Sequence, residues 1–273
     1  MDALSRRRLA LLGLDPAEIE VLPPAKRLEA VHHAFVAKIP YETLSKQERH
    51  RQHPAEPEKW MRTTDRLLRE AASDGLGGTC FSMAYALADV FRALGAVAHT
   101  ALGHNILTEE PHAAVIVYQD DGPRLFEPSF FVPEGIPVRP EGSVADPLFT
   151  HVLEARARGG CLLTLVQHQH APGGQSKPLF SMIPMPAPAD AFRRAWLATF
   201  SCERGKPLML ARRVGDEVRW YGDDKDHVEI LSTSGRRRVD VGRDPPATLH
   251  ALFGIDEDRL RAHFAAVGPA LAS

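Results

Sequence analysis

Cysteine is scarce in this 273-residue chain: Cys80, Cys161 and Cys202 are odd in number, far apart and free of any Cys-x-x-Cys pair. That pattern argues against a disulfide framework or a zinc site, and it suits a reducing compartment such as the cytoplasm. Long apolar runs are missing as well. No segment approaches the roughly 18 to 20 apolar residues that a bilayer-crossing helix requires. Neither charge is in excess, with 33 basic residues against 35 acidic ones and a formal net charge of −2, so there is no electrostatic case for nucleic acid or an anionic membrane as partner. The local run Arg236-Arg237-Arg238 reads as a solvated turn or strand edge. Internal repeats and low-complexity tracts are absent. Arg6-Arg7-Arg8 followed by residues 9–14 has the outline of a basic leader, but Asp15-Pro16 interrupts it and no small-residue cleavage site follows, so a first amphipathic helix is expected.

What the chain does have is Gly77-Gly78-Thr79-Cys80-Phe81, and the remainder organises around it. Two glycines permit a tight turn, and Phe81, Ala84, Leu87, Ala88, Phe91 and Leu94 then recur at helical spacing with one buried stripe. Cys80 is therefore expected at a helix N-terminus, where free N–H groups and the helix dipole favour an anion and promote a nucleophilic thiolate. Downstream, residues 111–118 read as a buried strand that opens with His112. Residues 119–123 read as a turn, and 124–128 as a returning strand that carries Glu127. A thiol needs a base to take its proton, and the base needs an acceptor that fixes its tautomer. Cys80, His112 and Glu127 supply those roles in that order.

The pattern before Cys80 is helical, over 2–13, from Asp15-Pro16, over 25–36 and over 60–72, with Ile39-Pro40 ending the third helix. Residues 47–59 read as an exposed loop in which His50 and His53 are solvated. From residue 96 the period shortens: 97–102, 112–118, 124–128, 161–166, 208–214, 218–221 and 227–231 read as strands. The proline-rich stretch 172–188 reads as a long irregular connection. Helical spacing returns at 189–199 and in two short helices, 246–253 and 256–265, on either side of Gly254.

Several of these stretches together resemble the arylamine N-acetyltransferases. They are 8–14 with 28–33; Ile39-Pro40-Tyr41-Glu42-Thr43-Leu44, similar to that family's Ile-Pro-Phe-Glu-Asn-Leu; Gly77-Gly78-Thr79-Cys80-Phe81, similar to its Arg-Gly-Gly-x-Cys-Phe; the His112-to-Glu127 hairpin; and Leu252-Phe253-Gly254-Ile255. The resemblance implies an α+β protein with an N-terminal helical domain (1–95, carrying the nucleophile), a middle antiparallel β-barrel-like domain (96–188, carrying the histidine and the acid) and a C-terminal α/β lid (189–273), with a papain-like arrangement of the cysteine triad. It also implies a ping-pong acyl transfer from acetyl-CoA, or a larger acyl group on coenzyme A or an acyl carrier protein, through a Cys80 thioester to a small-molecule amine. No permanently bound cofactor and no metal are expected. Ser129 and Phe130 would lie at the acyl donor, Tyr41 and Phe81 at the acceptor, and the backbone N–H groups of Gly78 and Cys80 at the oxyanion. The chain departs from the family's pattern where Leu76 replaces an arginine, Thr43 an asparagine, Glu127 an aspartate, and Pro128-Ser129-Phe130-Phe131 a Val-Gly-Phe-Gly.

Two other readings stand beside the acyltransferase. Transglutaminase-like and peptidase-like proteins use the same order of Cys, His and acid, which would make the reaction hydrolysis; the stretches 39–44 and 252–255 are not expected there. A catalytically decayed binding protein would account for the departures at Leu76, Glu127 and Phe131. His168 and His170, with Cys161, imitate a metal cluster but lack an obvious third ligand. Trp60, Trp196 and Trp220 read as packing residues.

Overall fold

The structure is a computed structural model that describes residues 1–155, 162–170, 174–201, 207–222 and 225–267. The first elements are α1 (Ala3–Leu11), α2 (Pro16–Val21), α3 (Pro24–Lys38), β1 (Tyr41–Glu42), α4 (Leu44–Gln52), α5 (Thr64–Asp74) and α6 (Cys80–Ala93). Their starts follow the local chemistry. Asp2, Asp15 and Thr63 accept hydrogen bonds from the first-turn N–H groups of α1, α2 and α5, and Pro16 occupies the first turn of α2, where no N–H is needed. Helix α6 is buried nearly all round rather than along one stripe, since Ser82, Met83, Ala86 and Val90 are enclosed along with the periodic apolar set. It is the central rod of the helical part, flanked by Leu9, Phe35, Leu67 and Leu68 on one side and by Ala113, Val115 and Val117 on the other.

Eight strands follow: β2 (Val97–Asn105), β3 (Pro111–Gln119), β4 (Gly122–Phe126), β5 (Ile136–Pro137), β6 (Ser143–Ala145), β7 (Phe149–Ala155), β8 (Leu163–Gln169) and β9 (Ser176–Met182). They form one antiparallel sheet in the order β5-β4-β3-β2-β9-β8-β7-β6, and β5 comes back against β6 and β7 so that the sheet nearly closes into a barrel. Then come α7 (Ala189–Ser201), β10 (Met209–Val214), β11 (Glu217–Gly222), β12 (His227–Ser232), β13 (Gly235–Asp240), α8 (Pro245–Phe253) and α9 (Glu257–Val267). Strands β10 to β13 make a second antiparallel sheet that β1 joins at its edge, Tyr41 pairing with Ala211 and Glu42 with Leu210. The fold is α+β: a helical part, a barrel-like β part and an α/β lid.

Three expectations are corrected. The stretch 47–59 is a largely exposed connection only from His53 onward: α4 runs to Gln52 and buries Lys46, Gln47 and Arg49, the last donating to the Trp60 carbonyl, while His50 packs edge-on against Trp60. A polar sequence hid a buried face whose long side chains are satisfied by backbone carbonyls. The stretch 172–188 contains β9. Pro178, which has no N–H for the ladder, is absorbed by a register shift opposite Leu165 and Val166. Strands β5 and β6 are too short, at two and three residues, to show a period, and in β7 the burial alternates while the apolar residues do not, since Thr150, His151 and Glu154 interrupt them. Cys161, Cys202, Pro172 and Gly173 lie outside the described residues. Arg236, Arg237 and Arg238 do sit on an edge strand, facing Glu229 and Glu217. Among the described residues no helix is long and apolar enough to cross a membrane.

Candidate active site

Cys80 is the first residue of α6 and is partly exposed. Its loop is seated by close contact rather than by unusual dihedrals. A Cβ on Gly77 would lie 1.7 Å from the Pro40 carbonyl oxygen, and one on Gly78 would lie 2.1 Å from Ser82 Oγ and 2.6 Å from Arg62 Nη2. Gly77 must be glycine for the backbone to approach so closely, and Gly78 leaves room for the Ser82 and Arg62 side chains. The loop is stitched to the 39–44 segment: the Gly78 N–H donates to the Pro40 carbonyl and the Glu42 N–H to the Gly78 carbonyl, each at 3.1 Å. Gly78 therefore has no N–H left for an oxyanion. The Cys80 N–H has no acceptor among the described residues and remains available.

His112 and Glu127 reach each other through strand pleat. Val115 pairs with Phe126 in the β3–β4 hairpin, so the next residue, Glu127, stands on the same face as Ala114 and, two residues on, His112. His112 Nε2 and Glu127 Oε2 are 2.8 Å apart, with both side chains buried. The extra methylene of glutamate is thus accommodated. The other Glu127 oxygen accepts from the Ser129 N–H at 2.8 Å and the Ser129 hydroxyl at 2.5 Å. Burial alone would push the His112 pKa down, but Glu127 and Cys80, by charge and hydrogen bonding, outweigh it and push it up to about 10. With Nε2 engaged by Glu127, Nδ1 is the ring nitrogen left for the thiol. The imidazole is held between Phe130 (ring centroids 5.2 Å apart) and Phe180 (4.4 Å).

Three of the expected residues have defined contacts here. Ser129 and Phe130, anticipated at the acyl donor, bond to the acid and cover the histidine. Phe81 is fully buried between α6 and α7, against Phe192 and Trp196, and offers no surface to an acceptor. Tyr41 stays partly exposed beside Gly78, its ring packed against the apolar clusters on either side of β1. His168 and His170 bond to Ser176 and Thr150, and among the described residues no group of three or more His, Cys, Asp or Glu side chains is placed to hold a metal ion.

Two further residues support the site, and the first of them left no mark in the sequence. Arg62, almost wholly buried, donates to the Gly77 carbonyl, pairs with Glu70 at 2.9 Å and lies 3.6 Å from Glu42. It brings a guanidinium to the nucleophile loop from outside that loop, while Leu76 packs in the lid core with Leu44, Phe253 and Ile255. Burial pushes the Glu42 carboxyl above its usual range, and the Arg62 charge and two bonds from Ser45 offset this only in part. Burial also opposes ionisation at Glu70, but Arg62 and Arg66 hold that carboxyl below its ordinary value. The second is Phe131, in the left-handed region at φ +56° and 3% exposed. It adopts the backbone of a glycine while filling a pocket formed by Val36, Leu148, Phe149 and Val218.

Set against solved structures, the whole chain superposes on one group of enzymes. An arylamine N-acetyltransferase from Salmonella typhimurium matches with a TM-score of 0.75 over 97% of this chain and 99% of the other, at 16% identity. The fold is that of the arylamine N-acetyltransferases. A Bacillus cereus member of that group, described as having a unique Cys-His-Glu catalytic triad, matches with a TM-score of 0.71 over 94% of this chain and 100% of its own, at 13% identity. The Mycobacterium marinum arylamine N-acetyltransferase in complex with CoA matches with a TM-score of 0.70 over 90% of this chain and 95% of its own, at 16% identity. The sequence matches no protein-family model and no curated relative. Within the arylamine N-acetyltransferase fold, Cys80, His112 and Glu127 lie on a helix start and the two arms of one hairpin, so three separate segments meet at one thiol.

Proposed function

We propose that the chain is a thiol acyltransferase of the arylamine N-acetyltransferase type, with Cys80 as nucleophile, His112 as general base and acid, and Glu127 as its orienting carboxylate. The 2.8 Å bond between His112 and Glu127, with His112 driven towards its protonated form by its two partners, carries this reading. In the first half-reaction Cys80 Sγ attacks the carbonyl carbon of an acyl thioester. The departing thiol takes its proton from His112, and the acyl group remains on Sγ. In the second half-reaction an amine attacks that thioester, passes a proton to His112 and leaves as the amide, while Sγ recovers the thiolate. The Cys80 N–H, at the positive end of α6, is placed to receive the oxyanion in both steps.

Acetyl-CoA is the donor favoured by likeness, since a structural neighbour is a complex with CoA. A larger acyl group, on coenzyme A or on a carrier protein, stays within the proposal because the 128–131 segment is committed elsewhere: Ser129 to Glu127, the Phe130 ring to His112 and Phe131 to the core. The acceptor is a small amine. Division into functional units at residues 1–95, 96–188 and 189–273, and action in the cytoplasm, belong to the same proposal.

Intact-mass analysis after incubation with acetyl-CoA and a series of longer acyl-CoAs tests it. The expected result is a single acyl adduct that Cys80→Ala lacks and that an arylamine discharges. No adduct with any thioester, or an adduct that persists in Cys80→Ala, would overturn the assignment.

A further inference from the structure

A cleft of about 510 Å³ opens between α6, α7, β2 and the 58–63 segment, and neither Cys80, His112 nor Glu127 lines it. Its α6 wall carries Tyr85 and Arg92, seven residues apart and so on one face two turns along. Tyr85 is five residues beyond Cys80, about 140° around the helix at 100° per residue, so this face points away from the thiol's side. The α7 wall is Phe192, Arg193 and Trp196. Tyr85 lies 5.6 Å from Trp196 and 6.5 Å from Phe192, ring centroid to centroid, which leaves planar faces lining one slot.

Three donors at this slot have no acceptor of their own, and His99, Thr63 and Thr100 line it beside them. Arg193 is exposed and has no ion pair or hydrogen bond among the described residues, and the same holds for the Tyr85 hydroxyl and the Trp196 indole N–H, although Trp196 is only 4% exposed. Arg92 has only a 3.7 Å approach to Asp89, whose closer partner is Arg8 at 2.8 Å, and a 3.3 Å bond to the Ala98 carbonyl. Arg62 closes the inner end. Glu58 is the only carboxylate among the lining residues. A half-open slot with aromatic walls, an unpaired guanidinium at Arg193 and donors to spare calls for a flat ligand that supplies acceptors and negative charge.

We infer that this cleft is a second binding site, separate from the thiol, that takes a planar aromatic small molecule bearing an anionic group. The site is independent of the acyl-transfer reading and stands even where no thioester reacts. Through Arg62, which also holds the Gly77 carbonyl, an occupant would touch the support of the nucleophile loop.

The test uses the full-length Cys80→Ala protein, in which no acylation occurs, titrated with naphthalene-2-sulfonate and followed by tryptophan fluorescence. The expected result is saturable quenching below about 1 mM, lost in Trp196→Phe and weakened about tenfold or more in the Arg92→Gln/Arg193→Gln double variant. Both arginines are exposed, so that variant keeps its fold, which far-ultraviolet circular dichroism checks. The neutral naphthalene-2-sulfonamide is expected to bind about tenfold more weakly. Equal affinity for the neutral probe, no saturation by about 5 mM, binding unchanged in the double variant, or displacement of the probe by CoA would each overturn a separate anion site, the last by assigning the cleft to the acyl donor.

Discussion

Replacing Glu127 by glutamine changes the charge at the centre of the hairpin and almost nothing else. The carboxylate accepts from both Ser129 groups through one oxygen and from His112 through the other. An amide can keep the two Ser129 bonds with its oxygen, but its NH2 then faces His112 Nε2. That nitrogen must become the acceptor, so the neutral ring carries its proton on Nδ1, towards Cys80. A base has become a donor to the thiol it should deprotonate. The electrostatic loss adds to this, because Glu127 is the first of the groups that hold His112 at about 10 despite burial. Each pKa unit surrendered corresponds to about 1.4 kcal/mol between the charged and neutral forms. A wrong tautomer and a weakened hold on the imidazolium together amount to about 10³- to 10⁴-fold in rate. Iodoacetamide alkylation of Cys80 at pH 7, read by peptide mass, and the rate of acyl-adduct formation are the assays. Both should fall together, with circular dichroism unchanged. Glu127→Gln labelling and acylating at the parent rate would refute the argument that this carboxylate governs the imidazole.

Arg62→Met should destabilise the fold by about 3 to 5 kcal/mol, because it strands the fully buried Glu42 without a cation, while Glu70 keeps Arg66. It should also slow Cys80 alkylation, with partial recovery in Arg62→Lys; urea titrations and labelling rates check both, and unchanged labelling would deny it a hold on the loop. At Phe131 the usual order of glycine and alanine should invert: losing the ring costs about 3 to 5 kcal/mol in either variant. The left-handed backbone penalises alanine by a further 1 to 2 kcal/mol or so, against about 0.4 to 1 kcal/mol of unfolded-chain entropy lost by glycine. Phe131→Gly should therefore melt above Phe131→Ala, and the reverse order would show that no strain is stored there. His32 and His151 are pushed down to about 4 by burial, His151 in spite of Asp146. Between pH 6.5 and 4 the unfolded chain binds these two protons and the folded chain does not, so stability should fall as pH drops through that window. His112 has the opposite sign: its contribution is complete below pH 6.5 and is lost as pH rises towards 10. Chemical denaturation at pH 4.5, 7 and 9.5 reads both limbs, and a profile flat across all three would contradict them.

The meeting of Cys80, His112 and Glu127 was legible because each has a local cause. Cys80 follows a glycine pair at the start of a strongly periodic helix, and His112 and Glu127 are placed on one face by the parity of a hairpin. The helix starts were legible for the same reason, since Asp15-Pro16 caps α2 as written. What escaped depends on partners distant in sequence. Arg62 acquires meaning only when Glu42, Glu70 and Gly77 surround it. The polar residues of α4 are buried because carbonyls of other segments satisfy them, including Thr199 for Lys46. Strand β9 was masked by Pro178, and Phe130 reads as a donor contact until Phe180 arrives from another strand to close over the imidazole.

The two-residue strand β1 gives the lid a mechanical role. Glu42 is bonded to the nucleophile loop on one side and paired with Leu210 on the other, and Gly75, just before that loop, lies so close to the Gly254 carbonyl that a Cβ there would sit 1.9 Å from its oxygen. The C-terminal sheet and helices are thereby keyed into the footing of the reactive sulfur at two points, so that part of the chain cannot swing away as a hinged cover without pulling the sulfur's own seat along with it. Whatever reaches Cys80 must pass a fixed rim, and a chain shortened before β10 would lose the seat of that sulfur along with its cover.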